Sequence, residues 1–282
     1  MKVPDNTLVS VRSFVFAELQ ALYSKGELRI IWEALCEAFC TVQPAPPRLS
    51  ESELLLFFNA VKKLKKGMPY QYVTQNVHFY GLQLFVNEYT LIPRPETEEL
   101  VDMVLKNHTD AILHVTDACT GSGCIPLALQ SRRPQWRVRG FDLFPETLAV
   151  AEKNAARTRL PVTFSRADAL APETYTRLER TDILISNPPY ITAAEKTDMH
   201  RTVLDFEPHR ALFAEGTDPL IFYRRLAEGA VQCLKKGGSF YAEINQYLPQ
   251  ETCHILQEAG LSEVKAHKDL SGNWRFVSAQ YP

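Results

Sequence analysis

Three features are missing from this sequence, and each absence excludes a class of protein. The six cysteines form no C-x-x-C pair, so neither a zinc site nor a disulfide framework is indicated, and we expect reduced thiols and no metal. The sequence has no uninterrupted run of about 18 apolar residues, the length needed to span a membrane. The first residues also lack the apolar stretch of a secretory signal. We therefore expect a soluble, cytoplasmic protein without a membrane partner.

A large excess of either charge is also missing. The formal net charge is −2 and the pI is about 6.4, whereas proteins that depend on DNA phosphates usually carry a basic excess. Bulk nucleic acid is therefore a disfavoured partner. One local lysine group leaves an acidic or RNA-containing partner open, although a solvated helix end is the favoured interpretation. Its members are Lys62, Lys63, Lys65 and Lys66.

The apolar pattern divides the chain into two parts. Up to residue 75 it is helical: Leu28, Ile31 and Leu35 share one stripe, and Ser50 with Glu53 forms a capping box before the next helix. The stretch "NVHFYGLQLFV" alternates about a glycine and predicts a β-hairpin. We assign residues 1–75 to a small all-α domain, 76–88 to a hairpin linker and 89–282 to a larger domain.

In the larger domain, apolar strand-like runs alternate with helical runs. This alternation predicts an α/β fold with a mostly parallel sheet covered by helices. Only "SGN" separates the last two strand-like runs, "VKAHKDL" and "WRFVSAQ", which leaves no room for a helix. They are expected to pair antiparallel, as a hairpin at the edge of the sheet.

The first strand of this domain leads into the glycine-containing turn "DACTGSGC". Asp117 ends the strand, Asp142 ends the next one 19 residues after Gly123, and Asp168 follows the third strand. Because parallel strands end at the same edge of the sheet, these carboxylates should lie together, where they could accept hydrogen bonds from a ribose and an adenine. Pro126 replaces the third glycine of a dinucleotide fingerprint. Adenosine without a pyrophosphate therefore fits better.

The fourth strand ends in Asn187, Pro188, Pro189 and Tyr190. Prolines terminate strands, which explains two of the four residues. The Asn187 side-chain oxygen and the Pro188 carbonyl could also accept both N–H bonds of a planar amino group while Tyr190 packs on it. Such a group could then attack an activated methyl placed opposite it. No dedicated general base is evident.

These motifs, together with "LIPRPETEE" and the closing "SGNWRF", resemble those of the release factor glutamine methyltransferase family over nearly the whole chain. The resemblance implies a seven-stranded, mostly parallel Rossmann-like methyltransferase sheet that uses S-adenosylmethionine. It also implies a helical domain that holds the substrate, a class 1 release factor whose Gly-Gly-Gln glutamine is methylated. A monomer is expected.

The resemblance also implies roles for individual residues. Around the cofactor it places Asp117, the loop Cys119, Thr120, Gly121, Ser122 and Gly123, then Asp142 at the ribose, Asp168 and Ala169 at the adenine, and Asn187. On the substrate side it places Asn187, Pro188, Pro189 and Tyr190, with Arg94 and Glu98 helping to shape the site. Two positions depart from the family pattern. Cys119 stands where relatives usually have glycine, which predicts a negative φ there, and Ala169 offers only backbone or apolar contacts.

Other functions remain open. "CTGSGC" is also typical of enzymes that methylate a glutamine of a ribosomal protein, although "RPETEE" favours the release-factor branch. A methyltransferase for adenine or cytosine amino groups would share the Asn-Pro-Pro-Tyr chemistry but would have to flip out its base. A translation-factor binding module with a vestigial cofactor fold is the non-enzymatic alternative. Residues 191 to 218, with His200 and His209, show little regular pattern and suggest a lid or substrate-binding loop.

Overall fold

A computed structural model describes residues 5–42, 44, 46–109, 112–192, 194–214, 216 and 218–282. The helices are α1 (Leu8–Leu19), α2 (Lys25–Phe39), α3 (Glu51–Leu64), α4 (Tyr70–Thr74), α5 (Pro95–Asn107), α6 (Cys124–Arg132), α7 (Pro145–Thr158), α8 (Pro172–Arg177), α9 (Arg201–Phe206), α10 (His209–Leu212), α11 (Ile221–Cys233) and α12 (Pro249–Glu258). The strands are β1 (Val77–Phe79), β2 (Leu82–Leu84), β3 (His114–Ala118), β4 (Arg137–Asp142), β5 (Thr163–Arg166), β6 (Thr181–Ser186), β7 (Leu234–Glu243), β8 (Ser262–Lys268) and β9 (Trp274–Gln280).

The four N-terminal helices pack around a core of their own. Ser24 and Ser50 cap α2 and α3, each in a capping box with the glutamate three residues later. Leu35, Phe57 and Val61 are among the buried side chains that hold these helices together. The helices expected from the apolar pattern are present, and the structure adds α4, a short helix of five residues. The predicted hairpin is present as β1 and β2, which pair antiparallel.

The main sheet has seven strands in the order β5-β4-β3-β6-β7-β9-β8. The first five in this order are parallel to one another, while β9 runs antiparallel to both β7 and β8. The predicted mostly parallel sheet and its antiparallel C-terminal edge hairpin are therefore confirmed. Helices α5, α6 and α7 pack on one face and α8, α11 and α12 on the other. The order reverses between β3 and β6, where a ligand-binding crevice is expected at the carboxyl ends.

The segment 191 to 218 is more regular than the sequence indicated. It contains a short 3-10 turn (Ala194–Asp198) followed by α9 and α10. Its pattern was not recognised because elements of four to six residues are too short to show helical periodicity. Ala193, Glu215 and Thr217 of this segment, like Met1 to Pro4 of the helical region and Ala111 just before β3, lie outside the described residues. Within the described ranges, no helix is long and apolar enough to cross a membrane.

Candidate active site

The carboxylate of Asp117 is buried beneath the glycine-containing turn that follows β3. The Thr120 hydroxyl donates to its Oδ2 at 2.6 Å, whereas its Oδ1 has no hydrogen-bond partner. Burial, as the main cause, raises the pKa of Asp117 to about 8. An unpartnered buried carboxylate oxygen is costly, and a nearby cation or donor group would offset this cost.

The turn itself uses left-handed backbone at alternate positions. Gly121 and Gly123 have φ values of 56° and 77°, and Cys119 has a φ of 59°. The expected negative φ at Cys119 is therefore wrong. A lone non-glycine residue can adopt this conformation at a cost of about 1–2 kcal/mol. Glycine is required at position 123, because a Cβ there would lie 2.8 Å from the Phe164 ring.

The next two strand ends complete an acidic edge. Asp142 Oδ2 accepts from the Gly121 N–H at 3.0 Å, which links the turn to β4, and burial is the main cause that raises the pKa of Asp142. Asp168 follows β5 and caps its own loop through the Leu170 N–H. The Ala169 carbonyl accepts from the buried Tyr175 hydroxyl at 2.9 Å, so it already has one partner. The topology thus brings together the three aspartates that the sequence singled out.

A cavity, here the first cavity, opens over this edge. Of the predicted residues it is lined by Cys119, Thr120, Gly121, Ser122, Asp142, Asp168, Ala169, Asn187, Pro189 and Arg94. Further lining residues come from elsewhere, among them Phe144 after β4, Arg210 from α10 and Tyr89 before α5. The guanidinium of Arg210 lies 4.0 Å from the centre of the Phe144 ring. This contact joins segment 191 to 218 to the rim of the first cavity.

A second cavity lies on the other side of the Asn-Pro-Pro-Tyr turn. Its walls include Pro188, Tyr190 and Met199, with Glu243 at the end of β7. Asn187, Arg94, Leu91 and Ala211 line both cavities. Asn187 is therefore accessible from both cavities.

Asn187 and Tyr190 are held from behind by buried groups. The Asn187 Nδ2 donates to the Thr97 hydroxyl at 3.2 Å, and the Tyr190 hydroxyl donates to Glu243 at 2.7 Å. Asn245 also donates to the Tyr190 carbonyl. The turn is thus fixed by side chains as well as by its two proline rings.

Arg94 and Glu98 have different positions. Arg94 pairs with Glu207, the residue that follows α9, at 2.6 Å, and Glu207 is almost fully buried. Glu207 also accepts from the Ile92 N–H, so this carboxylate ties segment 191 to 218 to the chain before α5. Glu98 does not line either cavity. Its carboxylate accepts from the Tyr80 N–H in the β1–β2 turn, which leaves its proposed substrate role as a prediction.

The two histidines of segment 191 to 218, His200 and His209, line neither cavity. His200 caps α9 by accepting from the Thr202 N–H, and His209 lies 2.8 Å from the Leu204 carbonyl. Both contacts are structural. Across the parts of the chain that the structure describes, no three His, Cys, Asp or Glu side chains are grouped as metal ligands.

Comparison with known proteins shows where the chain belongs. A family profile described as Methyltransferase small domain matches residues 96–217. The release factor glutamine methyltransferase of Flavobacterium psychrophilum is 36% identical over 273 residues, which is 93% of this chain and 95% of the relative. The chain belongs to the release factor glutamine methyltransferase family.

Two further matches agree with this assignment. The relative from Enterococcus faecalis with the same name is 41% identical over 219 residues, covering 77% of this chain and 78% of its own. The crystal structure of a methyltransferase from Pyrococcus furiosus has a TM-score of 0.53 at 16% identity, covering 79% of this chain and 98% of that one. This second likeness concerns the fold alone.

The first cavity fits the cofactor of such a methyltransferase. A sulfonium compound that carries an ammonium group is cationic, and the unpartnered Asp117 Oδ1 and Ser122 Oγ are buried polar atoms beside the turn. Asp142 uses its carboxylate for the Gly121 N–H and the Phe144 N–H but keeps further lone pairs for hydroxyl donors. These donor and acceptor sets match the charges and hydroxyls of S-adenosylmethionine.

Sequence reasoning missed two residues that contact the turn directly or indirectly, Thr97 and Glu243. Thr97 lies inside "RPETEE", among acidic residues, and a threonine in the first turn of a helix carries no distinct functional signal in the sequence. Glu243 is the single acid in "SFYAEIN" and the last residue of β7, and a lone acid at the end of a buried strand was the available signal.

Proposed function

We propose that this protein transfers a methyl group from S-adenosylmethionine to the side-chain amide nitrogen of the glutamine in the Gly-Gly-Gln motif of class 1 release factors. The observation that carries this proposal is the position of Asn187, which lines both cavities. A cofactor in the first cavity and an amide in the second would meet at this side chain. The names of the relatives support the choice of substrate.

On the cofactor side, we propose that the turn from Cys119 to Gly123 surrounds the methionine part. Asp142 would bind the ribose hydroxyls, and Asp168 with the apolar surface of Ala169 would bind the adenine. Asp117 would balance the positive charge from below the turn. When bound, S-adenosylmethionine supplies an electrophilic methyl group on sulfur, so the protein itself needs no nucleophile.

On the substrate side, Asn187 and the Pro188 carbonyl would accept the two amide N–H bonds, and the Tyr190 ring would pack on the amide plane. An amide nitrogen is a poor nucleophile because its lone pair is delocalised. Acceptors fixed before the reaction increase electron density on this nitrogen and hold it in line for attack. Held by Asn187 and the Pro188 carbonyl, the amide nitrogen would form the bond to the methyl carbon as the carbon–sulfur bond breaks with its electrons on sulfur. One N–H proton would then pass to solvent water.

We propose that the helical segment, residues 1–75, contacts the body of the release factor while 76–88 links it to the catalytic part, residues 89–282. The separate core of α1 to α4 supports this division. Arg94 and Glu98 would shape the entrance from the substrate side, Arg94 directly and Glu98 by holding the β1–β2 turn. We propose that the protein acts as a monomer.

The experiment is a transfer assay with methyl-labelled S-adenosylmethionine. Separate reactions contain a purified class 1 release factor, ribosomal proteins, or DNA, and each is run with and without the enzyme. The proposal expects label on the release factor. Label on ribosomal protein alone would favour the sister activity, label on DNA alone an amino methyltransferase for nucleic acid, and no label with intact cofactor binding the non-enzymatic alternative.

A further inference from the structure

The carboxylate of Glu243 is a buried acceptor for two hydroxyl groups. It lies at the carboxyl end of β7 with 2% of the residue exposed. Its Oε1 accepts from the Tyr190 hydroxyl at 2.7 Å, and its Oε2 accepts from the Thr97 hydroxyl at 2.8 Å. A buried acid is stable only where its partners are well placed. Here one partner, Tyr190, belongs to the Asn-Pro-Pro-Tyr turn, and the other, Thr97, contacts Asn187 of that turn.

The Thr97 hydroxyl connects this carboxylate to Asn187. A hydroxyl has a single proton to donate, and Thr97 donates it to Glu243. Its oxygen can therefore only accept from its other neighbour, the Asn187 side chain, at 3.2 Å. Only the nitrogen of the Asn187 amide can donate a hydrogen bond, so Nδ2 is the atom that points at Thr97. The direction of the Asn187 amide thus follows from the carboxylate.

This orientation determines which atom Asn187 presents to the cavities. With Nδ2 directed at Thr97, Oδ1 is the side-chain atom left for a ligand. The reversed amide would present N–H donors to a substrate amide that itself must donate. Because an asparagine side chain has nearly the same shape in both orientations, packing alone selects between them poorly.

We infer that Glu243, acting through the Thr97 hydroxyl, is a positioning residue that keeps Asn187 Oδ1 directed at the substrate amino group. This inference rests on the proposed function, since it concerns how that site holds its substrate. Glu243 is assigned no proton transfer in this account, because it acts on Asn187 only through the Thr97 hydroxyl.

The direction of the relay depends on Glu243 remaining an acceptor toward Thr97. The charged and titratable groups around it are Arg275 from β9, Glu96 at the start of α5, the Cys124 thiol of α6, and the hydroxyls of Tyr190 and Tyr223. Burial is the main cause that raises the pKa of Glu243, whereas Arg275, held by the buried Asp269 at 3.1 Å, favours the ionised carboxylate. A proton on Oε2 would donate to Thr97 and reverse both hydrogen bonds.

The test compares Thr97→Val with Thr97→Ser in the full-length enzyme. Valine keeps the shape but removes the hydroxyl, so kcat for release-factor methylation should fall about ten- to a hundredfold. Serine keeps the hydroxyl and should recover most of this loss. Cofactor affinity, measured by calorimetry, should change less than about threefold in both variants.

Thr181→Val is the matched control. Thr181 is a fully buried threonine at the amino end of β6 that donates to the His114 carbonyl, away from both cavities. The Thr181→Val variant measures the cost of losing a buried hydroxyl while the hydrogen bonds from Asn187 through Thr97 to Glu243 remain. The kcat of this variant should stay within about twofold of that of the unmodified enzyme. Thr97→Ala replaces Thr97→Val where the latter does not fold.

The outcomes separate the inference from the proposed function. An unmodified enzyme that binds cofactor but transfers nothing to the release factor contradicts the proposed function. If the unmodified enzyme is active, the inference is overturned in three cases: Thr97→Val matches the control, Thr97→Ser is as slow as Thr97→Val, or both variants lose cofactor affinity instead of kcat.

Discussion

The Thr97 hydroxyl lies 2.8 Å from a carboxylate oxygen of Glu243, although 146 positions separate the two residues in the chain. One residue belongs to the first turn of α5 and the other ends β7. Their contact places an apparently unremarkable threonine directly behind Asn187. The site therefore depends on how α5 packs against the sheet as well as on the turn after β6.

Asn187→Ala should separate cofactor binding from transfer. The change removes the acceptor that faces both cavities but leaves the turn after β3 and its aspartates intact. We predict a loss of kcat of about a hundred- to a thousandfold with cofactor affinity almost unchanged. Calorimetry with the cofactor and single-turnover kinetics measure the two effects. Lost cofactor affinity with unchanged transfer at saturation would show that Asn187 has a different role.

The backbone at Cys119 can be tested by two variants that both remove the thiol. Cys119→Ala and Cys119→Gly differ by one methyl group, which determines how well position 119 tolerates left-handed backbone. Because φ is 59°, the glycine variant should have the larger free energy of unfolding, by about 1 kcal/mol. A negative φ would give the opposite order, since glycine increases the entropy of the unfolded chain. Denaturant unfolding of the two proteins measures the sign.

Asp117 should make stability depend on pH in an unusual direction. Its pKa is about 8 in the folded protein and near 3.8 in the unfolded chain, so the folded state binds more protons between these values. Stability should then decrease as pH rises through this window, and the penalty is complete above about pH 8. Asp117→Asn removes it.

The measurement for Asp117 is the free energy of unfolding of both proteins without cofactor. We predict that Asp117→Asn stabilises the protein at about pH 8 by at least 1 kcal/mol more than at about pH 4. The Thr120 hydroxyl can still donate to the asparagine oxygen, so the loop contact is kept. An equal effect of the substitution at both pH values would contradict the assigned shift.

The Arg94–Glu207 pair should hold segment 191 to 218 against the chain before α5. Glu207→Ala leaves Arg94 half-buried without its partner and removes the acceptor of the Ile92 N–H. We expect a loss of stability of about 3 kcal/mol and reduced transfer, because Arg94 lines both cavities. Arg201→Ala, which breaks the exposed pair with Asp205 on α9, is the control and should cost less than about 1 kcal/mol.

Features formed by residues close together in the chain could be predicted from the sequence, whereas contacts between distant residues could not. The turn after β3 and the Asn-Pro-Pro-Tyr turn are contiguous, and alternating strands and helices suffice to bring their strand ends to one edge. The Thr97–Glu243 contact depends instead on the docking of α5, which no local pattern encodes. The prediction of a negative φ at Cys119 was wrong because the path of the turn is set by contacts such as the hydrogen bond from the Gly121 N–H to Asp142. Those contacts outweigh the preference of one residue.

The most direct test of the central claim is to locate the transferred methyl group. A class 1 release factor is incubated with enzyme and S-adenosylmethionine, digested, and analysed by mass spectrometry that assigns modifications to single residues. A second factor carries alanine in place of the Gly-Gly-Gln glutamine. We predict one methyl group on the nitrogen of that glutamine and none on the alanine variant. Methylation at another residue of the factor, retained in the alanine variant, would contradict the account.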